Sequence, residues 1–153
     1  MWKKGILCLL LMLLVGFSIN YYFAAPPSGM TAQETVAYYF QMVNRKNVSK
    51  SNSVLCPSER SEDSYEMGGL NDYRLLDCRE VTDLEELEEA REYMRELGEE
   101  PYDVALLYVS FYVNYDPDAF GCGLENGVYD DYAYYLIKET EKSDWRIRTW
   151  GYG

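Results

Sequence analysis

Four tyrosines make the first candidate site: Tyr108 and Tyr112 on one stretch, Tyr132 and Tyr134 on another. Each pair has even spacing, so each lines a single face of a β-strand. If all four share the outer face of a sheet, they form an amphipathic platform of the kind that recognises a protein partner or a second copy of the chain. Against this, tyrosine also suits half-exposed strands for packing alone.

A second candidate is acid–base chemistry by Asp77, Asp103 or Asp131 beside a tyrosine, since a carboxyl in an apolar pocket can be raised into a useful pKa range. A third is calcium held by Asp116, Asp118, Glu125 and the Asp130–Asp131 pair, although the spacing matches no EF-hand and acidic turn residues are common. The expectation is therefore no catalytic residue, no metal and no cofactor. The chain has no histidine, which removes the commonest general base and the commonest metal ligand together. Cys56, Cys78 and Cys122 are too widely spaced for a zinc site. A Cys56–Cys78 bridge is open to a chain outside the cell, and the plainer reading is small buried apolar side chains.

The segment before these residues fixes their compartment. Lys3 and Lys4 precede an apolar run from Ile6 to Ala25, and no acidic residue appears before Glu34. About 20 helical residues at about 1.5 Å each cross the hydrocarbon core. Tyr21 and Tyr22 would sit at the outer interface, and Pro26-Pro27 would end the helix. Residues 1–25 are thus expected to be a signal-anchor, N-terminus inside, with a cleaved signal peptide as the alternative. The sites with small residues near Ser18 and Ala25 are poor, which favours the anchor. Cys8 lies ahead of the apolar core and is read as one more apolar side chain. Residues 26–30 form a linker, and 31–153 one domain at the cell membrane with its C-terminal part outside, or secreted after cleavage.

Charge narrows the partners. Without Lys3 and Lys4 the remainder carries 12 basic against 26 acidic residues, a net −14. Such a surface repels phosphate backbones, so no nucleic-acid partner is expected. An unknown protein, a small ligand or a homodimer remains.

The elements that must position these residues follow from capping and periodicity. Thr31-x-x-Glu34 is a capping box, and Val36, Tyr39, Phe40 and Val43 fall on one helical face. Val48 to Leu55 is a short second helix, Ser58 to Asn71 a loop and Tyr73 to Val81 a strand. Thr82-x-x-Glu85 opens a further helix to Leu97, closed by Gly98. Tyr102 to Tyr115 is the strongest strand, with Ala105, Leu107, Val109, Phe111 and Val113 on one face. Its length calls for strong twist or a bulge. Val128 to Thr140 and Asp144 to Trp150 complete an antiparallel meander. The class is α+β, with helices packed on one face of the sheet.

The stretch Glu34-Thr-Val-Ala-Tyr-Tyr-Phe-x-x-Val-Asn-x-Lys-Asn47, with the closing Tyr135-Leu-Ile-Lys-Glu139 and Trp145-Arg-Ile-Arg-Thr-Trp-Gly-Tyr-Gly153, resembles the nuclear-transport-factor-two-like superfamily. Within it the chain is similar to uncharacterised bacterial cell-surface domains. The resemblance implies a cone: a strongly curved antiparallel sheet wrapped around the first helix. No catalytic residue carries over from it. The function it implies is a noncatalytic binding or interaction domain, working through the sheet surface or a small-ligand cone. The alternative is a small isomerase- or dehydratase-like enzyme using a carboxylate and a tyrosine in the cone.

Overall fold

The structure is a computed structural model and describes residues 25–61, 67–117 and 124–152. Residues 6–24 of the expected membrane segment, Asp118 and Cys122 lie outside them. Among the described residues no helix is long and apolar enough to cross a membrane.

Helix α1 (Ala32–Asn44) begins at the expected capping box. The Glu34 amide donates to the Thr31 hydroxyl at 3.1 Å, and the Thr31 amide donates to the Glu34 carboxylate at 2.8 Å. Two otherwise orphan donors are thereby satisfied. A short helix α2 (Val48–Asn52) follows, then a single 3₁₀ turn (Pro57–Glu59). Strand β1 (Leu70–Glu80) leads into helix α3 (Leu84–Glu96), and strands β2 (Asp103–Tyr115), β3 (Gly127–Lys138) and β4 (Arg146–Gly151) complete the domain. The four strands form one open antiparallel sheet in the order β1-β2-β3-β4.

The stripe predicted on α1 finds the face predicted on β2. Val36, Phe40 and Val43 are buried in one cluster with Leu107, Val109, Phe111 and Val113, each of the four strand residues fully covered. At about 25 cal/mol per Å² of apolar area, side chains of this size contribute roughly 1.5–3 kcal/mol each when buried. Phe40 stacks on Tyr73 of β1 with ring centroids 4.5 Å apart, and lies 5.4 Å from Phe111 of β2 and 5.9 Å from Tyr134 of β3. One side chain of α1 therefore meets three strands.

Two expectations need correction. Helices cover both faces of the sheet. Ala90 and Met94 of α3 pack on Val104, Leu106, Ala133 and Ile137, which point away from α1. The reason is visible along β2, where Val104 and Leu106 are as apolar as the residues between them and also need cover. The α3 cap is also one residue later than expected. The Asp83 carboxylate accepts from the Glu85 amide at 3.0 Å and the Glu86 amide at 3.1 Å. An aspartate there serves two orphan amides and places negative charge at the positive end of the helix, so it outcompetes Thr82. Leu84 consequently becomes the first helical residue and stays 81 % exposed. Gly98, at φ 81, closes the helix as expected.

The expected irregularity in the long strands takes the form of bulges. Leu75 faces Phe111 and Asp77 faces Ser110, leaving Leu76 extra on β1. Asp130 and Asp131 together oppose Ser110 from β3, with Asp131 at φ 52. On β4, Arg148 is extra between Ile147 and Thr149. Each bulge bends its strand and shifts which side chains reach a face. The Arg148 bulge also carries its guanidinium to Glu59 of the 3₁₀ turn (2.9 Å) and Glu99 after α3 (2.7 Å).

Both edges of the sheet are occupied by side chains or backbone from elsewhere. Beyond α2, the Cys56 amide donates to the Ile147 carbonyl and the Ile147 amide to the Val54 carbonyl, both at 2.8 Å. On β1 the Tyr73 amide donates to Asn44 at 2.9 Å and the Gln33 amide group donates to the Cys78 carbonyl at 3.3 Å. Such guards block edge-to-edge pairing.

Because Phe111 sits at 0 % exposure where α1, β1 and β3 converge, Phe111→Ala should lower stability by about 3–5 kcal/mol. Chemical denaturation measures this, and a loss below about 1 kcal/mol would remove Phe111 from the centre of the core.

Candidate functional site

The register of β2 against β3 decides where the four tyrosines point. Residues directly opposed across antiparallel strands share a face. Tyr134 opposes Leu107 and Tyr132 opposes Val109, so both point toward α1; Tyr108 opposes Ala133 and Tyr112 opposes Val128, so both point the other way. The single platform expected from spacing does not exist. Even spacing fixes the face within each strand, but it carries no information on how two strands are registered.

On the α3 face, the Tyr108 hydroxyl donates to Glu86 at 3.1 Å. Burial, and then this carboxylate, raise its pKa. Tyr112 lies beneath the Arg74 guanidinium, 5.3 Å from its ring centroid, and Arg74 is itself paired with Asp72 at 2.8 Å. These two tyrosines hold α3 and a surface arginine in place.

On the α1 face, Tyr132 and Tyr134 belong to a continuous aromatic cluster. Tyr129 stacks on Phe111 at 5.1 Å, Tyr132 meets Phe111 edge-on at 5.5 Å, and Trp150 stacks on Tyr134 at 6.0 Å. Tyr39 closes over Trp150 at 5.9 Å. Tyr134 is fully buried, and among the described residues its hydroxyl makes no hydrogen bond of good geometry. The Tyr73 phenol is its polar neighbour, and the contact between the two hydroxyls is at best a weak hydrogen bond. Burial pushes both phenols well above the ordinary tyrosine range. An unsatisfied buried hydroxyl costs about 1–3 kcal/mol, so its retention calls for an explanation.

A cleft of about 400 Å³ opens against this cluster. Tyr39, Leu55, Met67 and Trp150 provide its apolar wall, and Asn52 and Arg60 lie at its polar side. The Asn52 amide is already committed, donating to and accepting from the Ser61 backbone. Tyr39 was legible as a member of the α1 stripe and Trp150 as the end of β4, but their meeting was not, because it depends on how the two elements dock. A second groove of about 560 Å³ runs between linker residues 27–30 and the solvent side of α1, and neither Tyr39 nor Trp150 lines it.

The other expected site residues are scattered over the surface. Asp131 pairs with Arg79, Asp77 also approaches Arg79 at 3.5 Å, and Asp103 faces Arg91 at 3.6 Å. None enters the aromatic cluster. Asp116 accepts from Asn71 at 2.7 Å, and among the described residues no group of three metal-ligating side chains converges. Cys56 and Cys78 are free thiols on opposite faces of the sheet, which rules out the bridge between them. Burial pushes each thiol up to about 11.

Residues 33–151 match the family described as "Domain of unknown function (DUF4829)". The chain belongs to that family. No curated protein and no solved structure matches it. The match takes in α1 through β4 almost entire, so the aromatic cluster and its cleft lie wholly within the DUF4829 domain.

The buried thiols and phenols make this domain sensitive to alkali. Their folded-state pKa values are raised, so the unfolded chain releases these protons first, and stability present below pH 9 falls as pH rises through the folded values. The window opens between about 9 and 11 for Cys56 and Cys78 and above 10 for Tyr73 and Tyr134. Urea midpoints should be level up to about pH 8.5 and decline steadily above 9; a midpoint still level at pH 11 would show that these groups are not held neutral.

Proposed function

We propose that this chain is a noncatalytic binding domain, tethered to the outer side of a membrane or secreted, whose ligand enters the cleft beside Tyr39 and Trp150. The observation that carries this reading is the buried hydroxyl of Tyr134, which makes no well-formed hydrogen bond among the described residues and lies one ring behind the cleft wall. A polar group kept in an aromatic interior at a cost is explained when an incoming molecule or an ordered water completes it.

The same reading keeps the domain with the nuclear-transport-factor-two-like superfamily. A thirteen-residue helix laid against a bulged antiparallel sheet supports that placement. What weighs against the alternative, an isomerase- or dehydratase-like enzyme, is that Asp77, Asp103 and Asp131 stand beside arginines and away from the interior phenols. A protein partner or homodimer would use the α3 face, where Tyr112 remains half-exposed and Tyr108 is held by Glu86.

Tyr134→Phe separates the alternatives. Removing an unsatisfied hydroxyl should leave stability unchanged or raise it by up to about 1 kcal/mol. Native mass spectra of the chain purified from its own host should show added small-molecule mass on the wild type, and less of it on Tyr134→Phe and Trp150→Ala. Wild-type spectra that never carry added mass would count against the cleft and in favour of a surface partner.

A further inference from the structure

Where the linker leaves the domain bears on how the domain stands on its membrane. The Gly29 amide donates to the Asp144 carboxylate at 2.7 Å, tying the linker to the turn between β3 and β4 across 115 residues of sequence. Only Pro26, Pro27 and Ser28 separate Gly29 from Ala25, the last residue of the apolar run. Four extended residue steps reach at most about 14 Å. The turn is therefore leashed close to the point where the chain leaves the bilayer, if residues 6–25 span it.

The composition of the turn suits that position. Lys138 to Arg146 carries three basic and three acidic residues, a net charge of zero in a chain of net −12. Anionic headgroups therefore repel this end less than the rest of the acidic surface. Trp145 is half-buried with the Lys138 ammonium over its ring, 5.2 Å from the centroid. Tryptophan and lysine are both favoured at a headgroup interface. Proline at 26 and 27 stiffens the leash.

We propose that the β3–β4 turn is the membrane-facing end of the domain, resting against lipid headgroups, with the opposite end of the sheet, at Tyr115 and Gly127, turned away from the bilayer. The two ends are joined by β2, whose thirteen residues span about 40 Å. The proposal rests on the reading of residues 6–25 as an uncleaved anchor.

The test uses the full chain reconstituted in vesicles of phosphatidylcholine and phosphatidylglycerol containing a headgroup-labelled acceptor lipid. A donor dye is placed at Glu141→Cys or at Glu125→Cys, both exposed positions, with Cys8, Cys78 and Cys122 replaced by serine. Energy transfer from position 141 should exceed that from 125 at least about twofold, given the ~40 Å between the ends. Asp144→Ala, which frees the linker from the turn, should bring the two values together. Equal transfer from both positions in a chain that resists carbonate extraction would overturn the orientation and leave the anchor standing. An Asp144→Ala chain that keeps the full difference would overturn the role of the Gly29–Asp144 bond. Release of the chain by carbonate would overturn the anchor, and the orientation with it.

Discussion

Phe40 is the contact on which the rest of the domain depends. Its ring joins α1 to Tyr73 of β1, Phe111 of β2 and Tyr134 of β3, three strands whose backbones pair only with their immediate neighbours in the sheet. The backbone ladder fixes the order of strands but says little about the shape of the sheet across its width. A large ring seated over three strands does, because close-packed interiors admit few alternatives. The position of α1 then sets what else can happen: Asn44 reaches the Tyr73 amide, Gln33 reaches the Cys78 carbonyl, and Tyr39 is left to meet Trp150 at the cleft.

Most of that arrangement was legible in the sequence. The capping box at Thr31, the stripe Val36–Tyr39–Phe40–Val43 and the alternation along β2 are local signals, and each names an element and its buried face. The element order and the antiparallel meander follow from them. The capping choice at α3 was less secure because Thr82 and Asp83 are both competent caps, and only the geometry of the first turn separates them. That α3 covers the second face was signalled too, since Val104 and Leu106 leave β2 apolar on both sides.

The tyrosine site was not legible, for a physical reason. Alternation gives the faces of one strand relative to itself; the face shared by two strands depends on register, and a single inserted residue reverses it. Here Asp130 and Asp131 stand opposite Ser110 alone, so Tyr129 and Tyr132 reach the same face despite an odd spacing. The positive φ at Asp131 is compatible with aspartate, which tolerates the left-handed region better than most residues. The pair of adjacent aspartates within β3 marks the bulge.

Arg148 has a consequence for how the chain reaches its fold. Its two carboxylate partners lie 89 and 49 residues earlier, and the same short strand supplies Ile147 and Trp150 to the core. Contacts across such separations form only after large loops close, which slows folding relative to helix–helix packing. β4 is made after every other element, so the earlier segments wait for it with the α1 face of the sheet incomplete. A chain in that condition stays pliable until its last strand docks.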